Sequence, residues 1–144
     1  MQLLNYLNFK GQCEDAINFY QKSLGAEVIM LMRFQDMPPE ESEACQMPPG
    51  LDEKIMHAEL QFGETRVMMS DSPESGAAEF KGFSLSIAAD SVELAEKYFF
   101  ALAEEGKVTM ALAPTFWAKI FGMVEDKYGV SWMVNVDSDE MPSM

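Results

Sequence analysis

The sequence predicts an α+β fold built from two tandem modules, each with the order strand, helix and three further strands. The 144-residue chain has the size of one domain with a substantial core. Two segments with helical spacing each stand between strand patterns. The helix and the strand after it recur at an offset of 79 or 80 residues. The recurring positions are Ala16, Phe19, Tyr20 and Val28 in the first module and Ala95, Tyr98, Phe99 and Val108 in the second.

The first module spans about residues 1–72. Residues 3–9 have the pattern of a short strand, and residues 15–24 carry one apolar stripe at helical spacing, which predicts a helix. Gly25 follows as the predicted helix C-cap, and residues 26–34 are β-like.

The rest of the first module is a loop and a hairpin. Residues 35–53 hold four prolines and six acidic side chains, which predicts a long mobile loop acting as a lid, an arm or an interface. Residues 55–62 and 65–70 form a predicted hairpin about the turn at Gly63.

The second module spans about residues 82–137 and repeats this plan. Ser91 is a suitable N-cap for its helix, and Gly129 marks its last hairpin turn. Its predicted elements are strand 83–89, helix 91–103, strand 107–111 and hairpin strands 116–124 and 130–136.

The charge and cysteine content of the chain limit the classes of partner and the cellular location that we expect. The chain has 24 acidic and 10 basic side chains, a formal charge of −14 that repels phosphate backbones and anionic lipid headgroups, so neither nucleic acid nor membrane is expected. No basic stretch followed by an apolar one opens the chain, and Cys13 and Cys45 form no CxxC motif. We therefore expect a cytoplasmic protein with free thiols, in which Cys13 is a small, partly buried residue.

Three strings identify a family resemblance. The segments YLNFKGQCEDAINFYQKSLGAE, VMMSDSPESGAAEFKGFSLSI and TFWAKIFGMVEDKYGVSWMVNV occur in this order and span most of the chain. Together they resemble the PhnB-like branch of the vicinal-oxygen-chelate superfamily, which includes glyoxalase I, ring-cleaving dioxygenases and bleomycin resistance proteins. The resemblance implies mixed sheets curled into an open barrel with helices outside, a concave cavity, and a homodimer.

The resemblance also implies where a metal would bind. Metal-binding relatives place one ligand on the first and one on the last strand of each module. Those positions fall on Asn5 or Tyr6, on Phe83 or Ser84, on residues 67–69 and on Met133. Methionine, valine and phenylalanine are poor ligands for a hard or borderline divalent ion. We therefore expect neither the usual metal centre nor another cofactor.

Catalytic residues are harder to assign. The single histidine, His57, is two residues from Glu59 on one predicted strand face, which makes them candidates for general acid/base work. The alternative is a strand histidine that faces solvent or is bonded within the sheet. No GxSxG, Walker lysine loop or GxGxxG motif is present, so whether the protein is an enzyme stays open.

The methionines suggest a binding function. The chain has 13, several of them on the strands that would carry metal ligands, and methionine adapts to irregular apolar ligands. We predict binding of a small, partly apolar molecule, with packing of a ligand-free core as the alternative. The predicted ligand-binding residues are Tyr6, Asn8, His57, Met69, Phe83, Trp117 and Met133.

Three other functions stay open. One is a metal-dependent glyoxalase or lyase with shifted ligands, His57 and Glu59 among them. Another is a demethylubiquinone methyltransferase, as relatives are often labelled, although no glycine-rich loop for S-adenosylmethionine is present. The third is a dimeric structural or interaction protein whose interface uses the aromatic side chains.

Overall fold

The structure is a computed structural model and describes residues 1–38, 50–73 and 76–138. The chain divides into two compact units, Met1–Ala78 and Glu79–Met144. Their boundary lies in the polar segment between the two predicted modules; that the units make up one domain stays a prediction. Within the described residues each unit has the order strand, helix and three strands, which confirms the predicted α+β plan.

The first unit is built around one helix. The apolar stripe of that helix buries Ala16, Ile17 and Tyr20. Gly25 ends the helix with φ 69°, a left-handed conformation that suits glycine, which confirms the predicted C-cap. The elements are β1 (Asn5–Phe9), α1 (Cys13–Leu24), β2 (Glu27–Arg33), a 3₁₀ turn (Phe34–Asp36), β3 (Ile55–Phe62) and β4 (Thr65–Asp71).

The second unit repeats this arrangement. The Ser91 hydroxyl accepts a hydrogen bond from the Leu94 amide at 3.2 Å, which confirms the predicted N-cap. The elements are β5 (Leu85–Ala88), α2 (Val92–Ala103), β6 (Lys107–Ala113), β7 (Ala118–Glu125) and β8 (Ser131–Asp137).

The two sheets have the same topology. The strand orders are β1-β4-β3-β2 and β5-β8-β7-β6. In each, the first strand pairs in parallel with the last, and the other pairs are antiparallel. Both sheets are open, because β1 and β2, or β5 and β6, form opposite edges.

Three strands begin two residues later than the sequence predicts, the first of them β1, at Asn5 instead of residue 3. The strand expected from residue 83 begins at Leu85, after a turn in which Gly82 has φ 82°. The strand expected from residue 116 begins at Ala118. There the Thr115 hydroxyl accepts hydrogen bonds from the Trp117 and Ala118 amides, which holds a turn before the strand. Phe83 and Trp117 therefore precede the strands to which they were assigned.

The loop predicted over residues 35–53 lies partly outside the described residues, as does Cys45. The chain on either side of it is paired: the Phe34 amide donates to the Lys54 carbonyl at 3.1 Å and the Gln35 amide to the Asp52 carbonyl at 3.0 Å. Among the helices of the described ranges, none is long and apolar enough to cross a membrane.

Candidate functional site

The first sheet has one side covered by α1 and one helix-free face. The rings of Tyr20 on α1 and Phe62 on β3 are 5.9 Å apart between centroids, so α1 covers the side that carries Phe62. Side chains alternate along a strand, and residues paired across strands project from the same side. Tyr6 and Glu59 both pair with Met68. This helix-free face carries Tyr6, Asn8, Met30, Met32, His57, Glu59, Arg66 and Met68.

A chain of four polar side chains crosses this face. The Tyr6 hydroxyl is 3.0 Å from His57 Nδ1. The other ring nitrogen, Nε2, is 4.0 Å from Glu59 Oε2, and the Arg66 guanidinium is 3.6 Å from Glu59 Oε1. Tyr6 is 41% exposed, whereas the His57 and Glu59 side chains are 22% and 16% exposed. A ligand would therefore contact this row of four side chains first at Tyr6.

Three methionines border the polar chain. Met30 pairs with Glu59, Met32 with His57, and Met68 with both Tyr6 and Glu59. All three methionines are half-buried. Their unbranched, polarisable side chains adapt to irregular apolar shapes, so the face combines hydrogen-bonding groups with a soft apolar surround.

The second sheet also has a helix-free face, part of which is an apolar cluster. A side chain at Gly122 would meet residues of α2 and β6 within 3.1 Å, so Gly122 faces the helix. The flanking Phe121 and Met123 project from the other side, where Met133 pairs with Met123. The Trp117 ring is 5.5 Å from the Phe121 ring. Two predicted ligand-binding residues, Trp117 and Met133, thus belong to this face.

The other predicted ligand-binding residues are placed differently. Met69 is 0% exposed and pairs with Leu7 and Ala58 on the helix side, so it lies in the core instead. Phe83 is half exposed, two residues before β5. Asn8 is exposed on the helix-free face of the first sheet. Met68 and Arg66 were absent from the predicted set, although the alternation that places His57 and Glu59 together also selects them.

Asp71 has a structural role: its carboxylate accepts hydrogen bonds from backbone amides of the first unit. Its carboxylate is 3% exposed and accepts hydrogen bonds from the backbone amides of Gly11, Cys13 and Ile55 at 2.7, 3.0 and 3.0 Å. Burial is the main cause that raises the pKa of the Cys13 thiol, and electrostatic repulsion by Asp71 and Glu14 raises it further. The thiol therefore stays protonated. Cys13 is fully buried, whereas the sequence predicted partial burial, and it has no activated thiolate.

Asp126 has the same role in the second unit. It is 3% exposed and accepts from the Tyr128 and Val130 amides at 2.9 and 3.1 Å and from Trp132 Nε1 at 2.8 Å. Trp132 is itself buried and pairs with Val124 on the helix side of the sheet. The two tryptophans therefore differ: Trp132 stabilises the last hairpin, and Trp117 lies on the helix-free face.

The side chains at the inferred metal positions do not fit a divalent ion. Tyr6 rather than Asn5 is on the helix-free face of the first sheet, and Met68 pairs with it. On the second sheet Met133 pairs with Ser86, whereas Phe83 and Ser84, the positions inferred from the resemblance, precede β5. A phenol, a hydroxyl and two thioethers are a poor donor set for a hard or borderline cation. Among residues 1–38, 50–73 and 76–138, no group of three or more His, Cys, Asp or Glu side chains is arranged to hold a metal.

A cavity of about 470 Å³ lies at the start of α1, away from the helix-free face. Five acidic residues line it, and two of them already have partners: Asp71 in the amide contacts above and Glu14 in an ion pair with Arg33. That ion pair lowers the pKa of Glu14 through its hydrogen bond to the guanidinium. The acidic lining residues are Glu14, Asp15, Asp52, Glu53 and Asp71.

Comparison with solved structures defines the class of fold. A glyoxylase/bleomycin resistance protein/dioxygenase domain from Frankia sp. EAN1pec superposes with a TM-score of 0.66 over 97% of this chain and 93% of that chain. The sequence identity is 11%, so this likeness shows the fold alone.

Closer relatives define the family. A family model described as 3-demethylubiquinone-9 3-methyltransferase matches residues 1–135. Protein YjdN of Escherichia coli (strain K12) is 42% identical over 140 residues, which cover 94% of this chain and 95% of that protein. The chain belongs to the family that this model describes.

Two solved structures agree with this assignment. Protein PA1353 from Pseudomonas aeruginosa is 41% identical, with a TM-score of 0.83 over 96% of this chain and 99% of that chain. A putative 3-demethylubiquinone-9 3-methyltransferase, PhnB protein, from Bacillus cereus is 27% identical, with a TM-score of 0.78 over 94% and 99%.

The family description implies the methyl donor S-adenosylmethionine, whose carboxylate would need hydrogen-bond donors. A strand-to-helix junction is where backbone amides usually bind such an anionic group. At the β1–α1 junction the Gly11 and Cys13 amides already donate to Asp71, and Glu14 and Asp15 add negative charge. At the junction before α2 the Leu94 amide donates to Ser91. These junctions do not fit the cofactor.

Proposed function

We propose that the protein binds a small, partly apolar molecule on the helix-free face of the first sheet, without a metal centre. The observation that carries this proposal is the Tyr6–His57 hydrogen bond at 3.0 Å on a face bordered by methionines. Tyr6 orients the ligand through its hydroxyl, and Met30, Met32 and Met68 contact its apolar part. Binding sites for small molecules commonly combine a few such polar groups with an apolar lining.

Tyr6 and His57 differ from the two buried aspartates in the use of their hydrogen bonds, and this difference supports a binding function for Tyr6 and His57. Asp71 and Asp126 each accept three hydrogen bonds from their own chain and are 3% exposed. Tyr6 is 41% exposed, and its hydroxyl holds no strand, turn or helix end in place. A tyrosine hydroxyl can make more than one hydrogen bond, so Tyr6 retains capacity for a ligand.

The charge of the chain narrows the ligand. With a formal charge of −14, the protein has a net charge that repels anions. Among the residues named above for the helix-free face, the basic side chain is Arg66. Its guanidinium already lies 3.6 Å from the Glu59 carboxylate. A neutral ligand is therefore favoured over a phosphorylated or carboxylated one.

We expect methyl signals of Met30, Met32 and Met68 to shift when small aromatic molecules are added. The measurement is two-dimensional NMR of protein labelled at the methionine methyl groups, titrated with toluene, 4-methylanisole and p-cresol, with signals assigned by single Met→Leu variants. These three methyl groups would contact the ligand directly, whereas Met37, which ends the 3₁₀ turn after β2, serves as an internal control.

Two results would count against the proposal. One is the absence of any shift at the three methionines for all three probes. The other concerns the metal: a stoichiometric divalent ion in protein purified without chelator, together with stabilisation by that ion, would favour a metal-dependent enzyme. If His57→Ala then left the ion in place, His57 would not be its ligand.

We also propose that the protein is a homodimer. Both outer sheet edges expose apolar side chains, with Val28 and Ile29 on β2 and Val108 and Met110 on β6. Exposed apolar edge strands favour pairing with another chain.

We expect light scattering after size-exclusion chromatography to give about twice the 16.2 kDa chain mass. Ile29→Lys and Val108→Lys should each shift the protein toward the monomer, with exposed Glu96→Lys on α2 as control; a wild-type monomer at micromolar concentration would contradict the proposal.

A further inference from the structure

We infer that the polar group of the ligand is a hydrogen-bond donor, which makes the ligand a phenol or another small ring compound with a hydroxyl. This inference rests on the proposed binding function and specifies its chemistry. It follows from the direction of the hydrogen bond between Tyr6 and His57, which the neighbouring Glu59 determines.

The first step is the protonation of the imidazole. A neutral histidine carries one proton, on Nδ1 or on Nε2. Nε2 is 4.0 Å from the Glu59 carboxylate, and Nδ1 is 3.0 Å from the Tyr6 hydroxyl. The 4.0 Å distance is too long for a hydrogen bond, but the negative carboxylate electrostatically favours the N–H on the nearer nitrogen, Nε2, over a lone pair there, so Nδ1 keeps its lone pair. Arg66, 3.6 Å from the other carboxylate oxygen, holds Glu59 in this orientation.

The second step is the consequence for Tyr6. Since Nδ1 is an acceptor, the Tyr6 hydroxyl must donate its single proton to it. The remaining hydrogen-bonding capacity of the exposed tyrosine oxygen is then its lone pairs. A ligand hydroxyl can donate to that oxygen, whereas a carbonyl or ether oxygen would face it lone pair to lone pair. The arrangement therefore selects donors, with Tyr6 as the ligand contact and His57 and Glu59 as positioning residues.

The tautomer can be tested without a ligand because His57 is the single histidine of the chain. We expect ¹⁵N NMR at pH 8.5, where an ordinary imidazole is neutral, to show a protonated Nε2 and a hydrogen-bonded, unprotonated Nδ1. Tyr6→Phe should remove the hydrogen-bond signature of Nδ1, and Tyr98→Phe on α2 should leave it unchanged. A proton on Nδ1 in the wild type would overturn the inference, since Tyr6 would then accept from His57 and point its own proton outward.

Ligand selectivity is tested with p-cresol and 4-methylanisole, which differ in one methyl group on oxygen. Followed by the Met68 methyl signal, p-cresol should bind about threefold or more tightly than 4-methylanisole, the contribution expected of one hydrogen bond. The greater hydrophobicity of the ether acts in the opposite direction. In Tyr6→Phe the preference should disappear, and in Tyr98→Phe it should persist.

The outcomes separate the two proposals. If both compounds bind with equal affinity, or the ether binds more tightly, the donor inference fails and the binding proposal stands. If neither compound shifts Met68, Met30 or Met32, the binding proposal fails and the ligand class fails with it. If the preference persists in Tyr6→Phe, Tyr6 is not the group that reads the ligand hydroxyl.

Discussion

Replacing Asp71 with alanine is expected to lower the free energy of unfolding by about 3–5 kcal/mol. The carboxylate joins three segments of the first unit, because it accepts from Gly11 and Cys13 at the start of α1 and from Ile55 at the start of β3. Without it, three amides lose their acceptor in a region that is largely buried. Urea unfolding followed by circular dichroism measures the loss.

Two further variants make this test specific. Asp71→Asn keeps one carbonyl oxygen, so it should lose less than alanine: Oδ1 serves Gly11 and Cys13, and Oδ2 serves Ile55. Asp52→Ala removes the same charge from an exposed side chain of the same unit. Since the chain is strongly acidic, that control should be neutral or slightly stabilising. A loss below about 1 kcal/mol for Asp71→Ala would show that the amides find other partners.

Replacing Asp126 with alanine is expected to lower the free energy of unfolding by about 3 kcal/mol and to alter the environment of Trp132. Asp126 accepts from two amides of the β7–β8 turn and from the indole nitrogen of Trp132 at 2.8 Å. The carboxylate therefore joins the turn to the core. With Trp117→Phe as background, Trp132 is the only tryptophan, and its emission should move to longer wavelength as water reaches the indole.

The contributions of the turn and the indole can be separated. Trp132→Phe removes the hydrogen bond to the indole but leaves the turn amides bonded, so it should cost less than Asp126→Ala. Asp90→Ala, at an exposed position before α2, controls for the loss of charge. Unchanged emission together with unchanged unfolding in Asp126→Ala would show that this carboxylate does not hold the hairpin.

Much of the fold was predictable from local pattern. The apolar spacing of residues 13–24 and 92–103 is helical, and the caps at Gly25 and Ser91 are residue types that end and begin helices for local reasons. Strand ends were less certain. Thr115 illustrates the reason: its hydroxyl accepts from two amides and delays the strand to Ala118, which no apolar periodicity reveals.

The candidate site was only partly predictable. His57 and Glu59 are two residues apart on one strand, so their common face follows from alternation. Tyr6 meets His57 across 51 positions of sequence, and that contact depends on the parallel pairing of β1 with β4. The choice between Met68 and Met69 shows the same dependence, since a shift of one residue exchanges the two sides of a strand.

What the sequence determined by itself is the composition of each element: which segments are apolar at a period of two or 3.6, which residues cap them, and that the plan occurs twice. What only the tertiary structure decided is which polar side chains stabilise the fold through hydrogen bonds and which meet at the candidate site. Asp71 and Asp126 bind their own backbone, while Tyr6, His57 and Glu59 meet on the helix-free face. The reason is physical: periodicity arises from neighbours along one strand or helix, whereas hydrogen-bond partners come from distant segments that only the register of the sheet brings together.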